Sequence, residues 1–188
     1  MQDFGAQLFL SANPEDVQEA LSAGIAAATI LPNVAQNSGH AELRIAFDGD
    51  AVIFSDEVER IYQEKGLDEF NRVETDRKDQ PLPAGPFKPF LAALHSLQAQ
   101  YSAEDSPIRT AIVTARGAPA HQRVIRTLRS WGVRIDEALF LAGKDKGAFL
   151  HSFGADIYFD DQQRHCDSAR KYVATGHVPF GVKNTLKV

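Results

Sequence analysis

The sequence predicts a three-layer α/β fold: a parallel sheet with helices on both faces and a small inserted cap. Three observations predict it. Short apolar runs rich in Val, Ile, Leu or Phe end abruptly in Asp or Thr, as in Leu43 to Phe47 before Asp48, Thr110 to Val113 before Thr114, and Ile157 to Phe159 before Asp160 and Asp161. Runs without polar alternation suit strands covered on both faces. Helical patterns lie between them, and one interval, 55–105, breaks the alternation.

Taken along the chain, Asn13-Pro14-Glu15-Asp16 reads as an N-cap with proline in the first turn, leading into a helix over Val17 to Ala23. Leu43 to Phe47 follows as a buried strand. The interval 55–105 carries Pro81, Pro83, Gly85, Pro86 and Pro89, with helical stretches around Val58 to Lys65 and Pro89 to Gln100. It reads as a cap over the strand ends, its plain alternative being a surface excursion. Ala118 to Trp131 sets Val124, Ile125, Leu128 and Trp131 at helical spacing, with Arg123, Arg126 and Arg129 on the other side, and stops at Gly132. A fourth strand, Ala138 to Ala142, precedes Gly143 and Lys144. This alternation gives a Rossmann-like core over 1–54 and 106–188, in which ligands gather at the carboxyl ends of the strands.

There is also an internal echo. Phe4-Gly5-Ala6-Gln7-Leu8-Phe9-Leu10 resembles Phe153-Gly154-Ala155-Asp156-Ile157-Tyr158-Phe159, but Ser11 and Ala12 stand where the second copy has Asp160 and Asp161. The first copy cannot hold a cation through those positions.

With 188 residues and 44% hydrophobic content, the chain can build one good core but not two ordinary domains. Its net charge of -5 is spread without a basic block, so nucleic acid and anionic membrane are poor partners. No apolar run approaches the ~20 residues of a membrane span, and a soluble, cytoplasmic protein is expected. The single cysteine, Cys166, has only His165 beside it and reads as a bystander. Oligomeric state stays open, a homo-oligomer included.

Asp48-Gly49-Asp50 would emerge at the end of a strand, with both carboxylates on one side of the pleat. Two such anions repel unless a divalent cation compensates one of them, leaving the other for proton transfer. An Asp carboxylate can also attack phosphorus to give an aspartyl-phosphate. Alone, Asp-Gly-Asp reads sooner as a tight turn or an N-cap. It is joined by Thr114, whose hydroxyl and neighbouring N–H groups could hold a phosphoryl oxygen, by Lys144 or Lys146, which could offset the negative charge, and by Asp160-Asp161, hard oxygen ligands suited to magnesium. Four strand ends carrying such residues are a less ordinary coincidence than any one of them.

This order, Asp-x-Asp, Thr, Lys, Asp-Asp, resembles the haloacid dehalogenase superfamily. Ile45-Ala46-Phe47-Asp48-Gly49-Asp50-Ala51-Val52-Ile53-Phe54-Ser55-Asp56-Glu57 resembles the signature of the cytosolic 5'-nucleotidase I family. Pro81-Leu82-Pro83-Ala84-Gly85-Pro86-Phe87, Thr114-Ala115-Arg116, Phe140-Leu141-Ala142-Gly143 leading to Lys146-Gly147, and Phe159-Asp160-Asp161-Gln162 support it. The resemblance implies a magnesium-dependent phosphatase acting on nucleoside 5'-monophosphates. In it Asp48 is the nucleophile, Asp50 the general acid and base, and Thr114 and Lys146 the phosphate binders. Magnesium would sit on the Asp48 carboxylate, the Asp50 carbonyl and Asp160 or Asp161. Gly49, Phe54, Phe87, Ala115 and Arg116 are candidate substrate contacts. Known members carry a longer amino-terminal region, so this chain is expected to begin near its end. A phosphatase or phosphotransferase for another small phosphate ester, and a nucleotide-binding module without turnover, are the alternatives.

Overall fold

The computed structural model describes residues 5–32 and 39–184. In chain order the elements are β1 (Leu8–Ser11), α1 (Pro14–Ser22), β2 (Ala26–Ile30), β3 (Leu43–Phe47), α2 (Glu57–Asp76), α3 (Lys88–Gln98), β4 (Ile108–Thr114), α4 (His121–Ser130), β5 (Glu137–Phe140), α5 (Gly147–Phe153), β6 (Ile157–Asp160), α6 (Gln163–Ala169) and β7 (Ala174–His177). The strands form one sheet in the order β1-β2-β7-β6-β3-β4-β5. Every pairing is parallel except β2 with β7.

Side-chain alternation along the strands sorts the helices into layers. Ile45 and Phe47 of β3, Ile112 of β4 and Phe159 of β6 share one core with Leu91 and Leu94 of α3 and with Val124 and Leu128 of α4. Ala46, Val113 and Tyr158 point the other way, onto Leu150 and Phe153 of α5 and Ala169 of α6. Each large side chain withdrawn from water this way contributes roughly 1.5–3 kcal/mol. The expected three-layer, Rossmann-like architecture is what forms. The sheet is mostly parallel, the exception being β2, which runs against β7 with Thr29 opposite His177.

Local signals account for the first helix, where the Asn13 side chain accepts from Glu15 N at 3.1 Å and Pro14 opens the first turn. Strands β2 and β7 escape the sequence reading: Ala26 to Ala28 and Ala174 to His177 lack the β-branched and aromatic density of β3 and β4. Both sit where bulk does not fit. A Cβ on Gly176 would lie 2.9 Å from the Ala28 methyl and 2.8 Å from the Phe159 ring.

The internal echo coincides with a structural one. β1-α1-β2 and β6-α6-β7 are both strand-helix-strand units with parallel strands, and they meet at the antiparallel β2–β7 join. Phe4, which opens the first copy, lies outside the described residues.

Within the interval 55–105 the two helices keep different company. α3 lies on the sheet and contributes to the main core. α2 is longer than the stretch Val58 to Lys65, is interrupted at Gly66 (φ 81°, ψ -176°), and leads through 77–87 back to the loop after Asp48. There Gly85 N donates to Ile53 O and Phe87 N to Val52 O, both at 2.9 Å. The two backbones are so close that a Cβ on Gly85 would sit 2.3 Å from Phe54 O and 2.5 Å from Val52 O. Gly85→Ala therefore forces the strands of this bridge apart and should lower unfolding free energy by about 1–3 kcal/mol, read by denaturant titration.

Candidate active site

Strand order brings the chemistry together. β3 is flanked by β6 and β4, and the chain leaves β3 toward β4 and β5 before returning to β6 on the other side. That reversal opens a crevice at the carboxyl ends. Asp48 directly follows β3, Thr114 ends β4 and Asp160 ends β6. Asp48 N donates to Phe159 O at 2.8 Å, carrying the strand pairing to the residue itself.

Lys146, at the start of α5, reaches into this crevice. Its side chain is 1% exposed, with Nζ 2.9 Å from Asp48 Oδ1 and 2.7 Å from Asp160 Oδ2. It also donates to the Tyr158 hydroxyl at 2.8 Å. Burial works against the ammonium charge, yet the two carboxylates hold its pKa above the ordinary lysine range. Lys144 is exposed, so burial separates the two lysines that spacing left open.

The acidic pair after β6 divides into two environments. Asp160 Oδ2 takes Lys146, the Tyr158 hydroxyl and a 3.2 Å contact with His165 Nδ1, while Oδ1 accepts from Gln162 N at 2.8 Å. Burial opposes its charge, but Lys146 and His165 hold its carboxyl below the usual range. Asp161 is the reverse case: its carbonyl accepts from Asn184 Nδ2 at 2.9 Å and lies 3.0 Å from His177 Nε2, but its carboxylate Oδ1 is buried without any partner. Burial, with Asp160 and Asp48 nearby, pushes the Asp161 carboxyl up to about 10.

Asp48 shares that excess of negative charge. Burial, reinforced by Asp160 and Asp50 against the pull of Lys146, pushes its carboxyl up to about 7. Oδ1 accepts from Gly49 N at 2.7 Å as well as facing Lys146. A cation near Asp48 and Asp161 supplies the missing compensation, and an orphaned buried carboxylate oxygen is the donor such an ion takes. A second set, Asp48, Asp160 and His165, offers ligand atoms within 4.8 Å of one another. Its Asp160 oxygens are already engaged, so the geometry favours Asp161.

After Asp48 the strand geometry stops. Gly49–Ile53 is a π-type turn, with Ala51 in the left-handed region (φ 58°), a strained conformation for a residue with a side chain. The expected period-two alignment of Asp48 and Asp50 therefore does not hold. Asp50 turns to Arg116, which donates through Nε to Oδ2 at 2.8 Å and through Nη2 to Oδ1 at 2.6 Å. Thr114 Oγ1 accepts from Arg116 N at 3.2 Å and would lie 3.4 Å from a Cβ on Gly49, so the hydroxyl stands beside the start of the loop after Asp48. Ala115 continues the same turn, its carbonyl accepting from Gly143 N at 2.9 Å.

Three candidate substrate contacts have other duties. Phe54 and Phe87 are fully buried: Phe54 packs on Trp131 at 5.5 Å between ring centroids, Phe87 on Phe159 at 5.0 Å. Neither presents a free face for a base. Arg116 is buried and spends its guanidinium on Asp50 and Glu74. Arg123, placed by periodicity on the polar side of α4, is buried and bonds Glu74 Oε1 at 2.8 Å. Glu74, Tyr158 and His165 are the groups that sequence reasoning missed. Cys166 packs beneath the site, its thiol donating to Asp160 O at 3.4 Å, and burial pushes its pKa up.

Comparison with known proteins shows the family of the chain. A family model described as 5'-nucleotidase matches residues 1–185. Cytosolic 5'-nucleotidase 1B of Homo sapiens is 45% identical over 183 residues, which cover 94% of this chain and 30% of the human protein. The chain thus spans under a third of that relative's length. No solved structure matches it. With nearly its full length matched by the family model, the chain belongs to the 5'-nucleotidase family.

Proposed function

We propose that the chain hydrolyses nucleoside 5'-monophosphates to nucleoside and phosphate, with Asp48 as covalent nucleophile and magnesium as cofactor. The observation that carries this reading is the convergence of Asp48, Lys146 and the unpartnered Asp161 carboxylate at adjoining strand ends. Family membership and the printed name of the human relative support the substrate class. A cytoplasmic location fits that name, and no helix among the described residues is long and apolar enough to cross a membrane.

The Asp48 and Asp161 carboxylates and the Asp50 backbone carbonyl would hold the ion, with Asp160 as the strut behind them. When bound, magnesium supplies positive charge toward the phosphoryl oxygens and the nucleophile. Asp48 Oδ1, which already faces Lys146 and Gly49 N, would be the oxygen turned to the ion, and Oδ2 the one that attacks phosphorus. As the Asp48–phosphorus bond forms, the bond to the ribose 5'-oxygen breaks, and Asp50, loaded beforehand with a proton from solvent, passes that proton to the leaving oxygen. Water then attacks the aspartyl-phosphate, Asp50 takes its proton, and phosphate leaves Asp48 free. Lys146, the Thr114 hydroxyl and the backbone at Gly49 and Ala115 steady the phosphoryl oxygens throughout. In the proposed division into a core (1–54 and 106–188) and a cap (55–105), α2 and the loop 77–87 exclude water while α3 serves the core.

Two outcomes test this. Asp48→Asn should fold normally yet lose at least about 10⁴-fold in kcat on nucleoside monophosphates; a variant of unchanged activity ends the covalent reading. Asp161→Asn should lose the magnesium-induced rise in Tm while remaining at least as stable as the parent in chelator. Asp160→Asn, which leaves Lys146 with one buried partner fewer, should instead lower stability by about 3–5 kcal/mol with or without magnesium.

A further inference from the structure

A chain of four alternating charges runs inward from the nucleophile loop. Asp50 is gripped by the Arg116 fork, Arg116 Nη1 donates to Glu74 Oε2 at 2.6 Å, and Glu74 Oε1 accepts from Arg123 Nη1 at 2.8 Å. Side-chain exposure is 2% for Arg116, 0% for Glu74, 3% for Arg123 and 14% for Asp50. Three of these four charges are out of water, where each requires its partner. Glu74 stands in the last turns of α2, 24 residues after Asp50 in the chain, and the same helix sets the Phe70 ring 5.7 Å from the Arg116 guanidinium carbon. Arg123 is itself tied down, Nε donating to Gln80 O at 2.8 Å.

We infer that Glu74 is a positioning residue for the reaction: through Arg116 it fixes the plane of the Asp50 carboxylate and so couples the seating of α2 to proton transfer at the leaving oxygen. This rests on the proposed role of Asp50 as general acid. An Arg fork fixes a carboxylate only as well as the guanidinium is itself fixed. Of the groups on Arg116, Nε and Nη2 face Asp50, and Nη1 is held by Glu74 alone. Without the Glu74 charge, Arg116 keeps its fork but loses the anchor that sets the fork's angle, and a displacement of about 1 Å at a reacting group can cost ~10²-fold. A purely structural role for Glu74 predicts something else, a loss of folded protein with no change in the chemistry of the folded fraction.

The leaving group separates the two. A nucleoside 5'-monophosphate expels an alkoxide that requires a proton, whereas its analogue with sulfur in the bridging 5'-position expels a thiolate of conjugate-acid pKa about 8.5, which leaves without one. kcat/KM for each ester reports the steps up to cleavage of that bond, and the ratio of the two, oxygen ester over sulfur ester, is independent of how much of the sample is folded. Glu74→Gln and Arg116→Lys should each lower that ratio tenfold or more relative to the parent, and Glu74→Asp should restore part of it. Asp50→Asn provides the reference. If Asp50→Asn lowers the ratio while Glu74→Gln and Arg116→Lys leave it at the parental value, Glu74 only holds the fold and the inference is overturned. If Asp50→Asn itself leaves the ratio unchanged, the general-acid reading beneath it fails instead.

Discussion

Everything at the strand ends depends on one buried ammonium group. Lys146 lies between Asp48 and Asp160, at 2.9 and 2.7 Å, in a crevice that admits almost no water. Three carboxylates from two neighbouring strand ends could not otherwise share that space, since each would be driven to take up a proton. The lysine answers for Asp160 in full and for Asp48 in part. What remains is an excess of negative charge, concentrated on Asp48 and Asp161, and that excess makes the site receptive to a hard cation.

The support around this group is graded by distance from the reacting atoms. Asp160 is saturated by Lys146, Tyr158, His165 and the Gln162 amide, so it acts as a fixed post. Asp161, one residue on, is left with a bare oxygen. Adjacent residues of one type thus do opposite work, because the neighbours of Asp160 use up its oxygens while an Asp161 oxygen is buried without a partner. On the other flank the Arg116–Glu74–Arg123 chain performs the same service for Asp50, with the added feature that Glu74 comes from α2. The Asp50 side of the site is built partly from the interval that interrupts the sheet, whereas the Asp48, Lys146 and Asp160 side is built from strand ends and the start of α5.

How far the sequence could be read follows from how local each signal is. Asp48, Thr114, Asp160 and Asp161 are detectable because a short apolar run delivers each of them to a strand end, and the run and the residue are contiguous. Lys146 was separable from Lys144 only by resemblance, since both follow the same strand and burial alone distinguishes them. Glu74 left no trace: it sits in a helix whose other charged residues are exposed or half-buried, and its partners are 42 and 49 residues away. Arg123 misled for a related reason. Periodicity assigns a charged side chain to water unless an opposite charge is known to wait inside, and that knowledge is tertiary. Phe54 reads as a substrate contact because it follows Asp48 closely, but the π-type turn carries the chain through the core, which turns an aromatic near the site into packing against Trp131. The weak strands β2 and β7 went unread because Ala and Gly, required by close packing there, carry no strand propensity of their own.

The antiparallel join between β2 and β7 gives the molecule a polarity that the internal echo alone would conceal. β1 and β2 point their carboxyl ends at the rim opposite the one that carries Asp48 and Asp160. Ser11 and Ala12, the counterparts of Asp160 and Asp161, therefore face away from the crevice, and restoring two acids there would create a charged spot on the far edge instead of a better active centre. One rim is armed and the other mute, so the first strand-helix-strand unit serves as a passive abutment that extends the sheet.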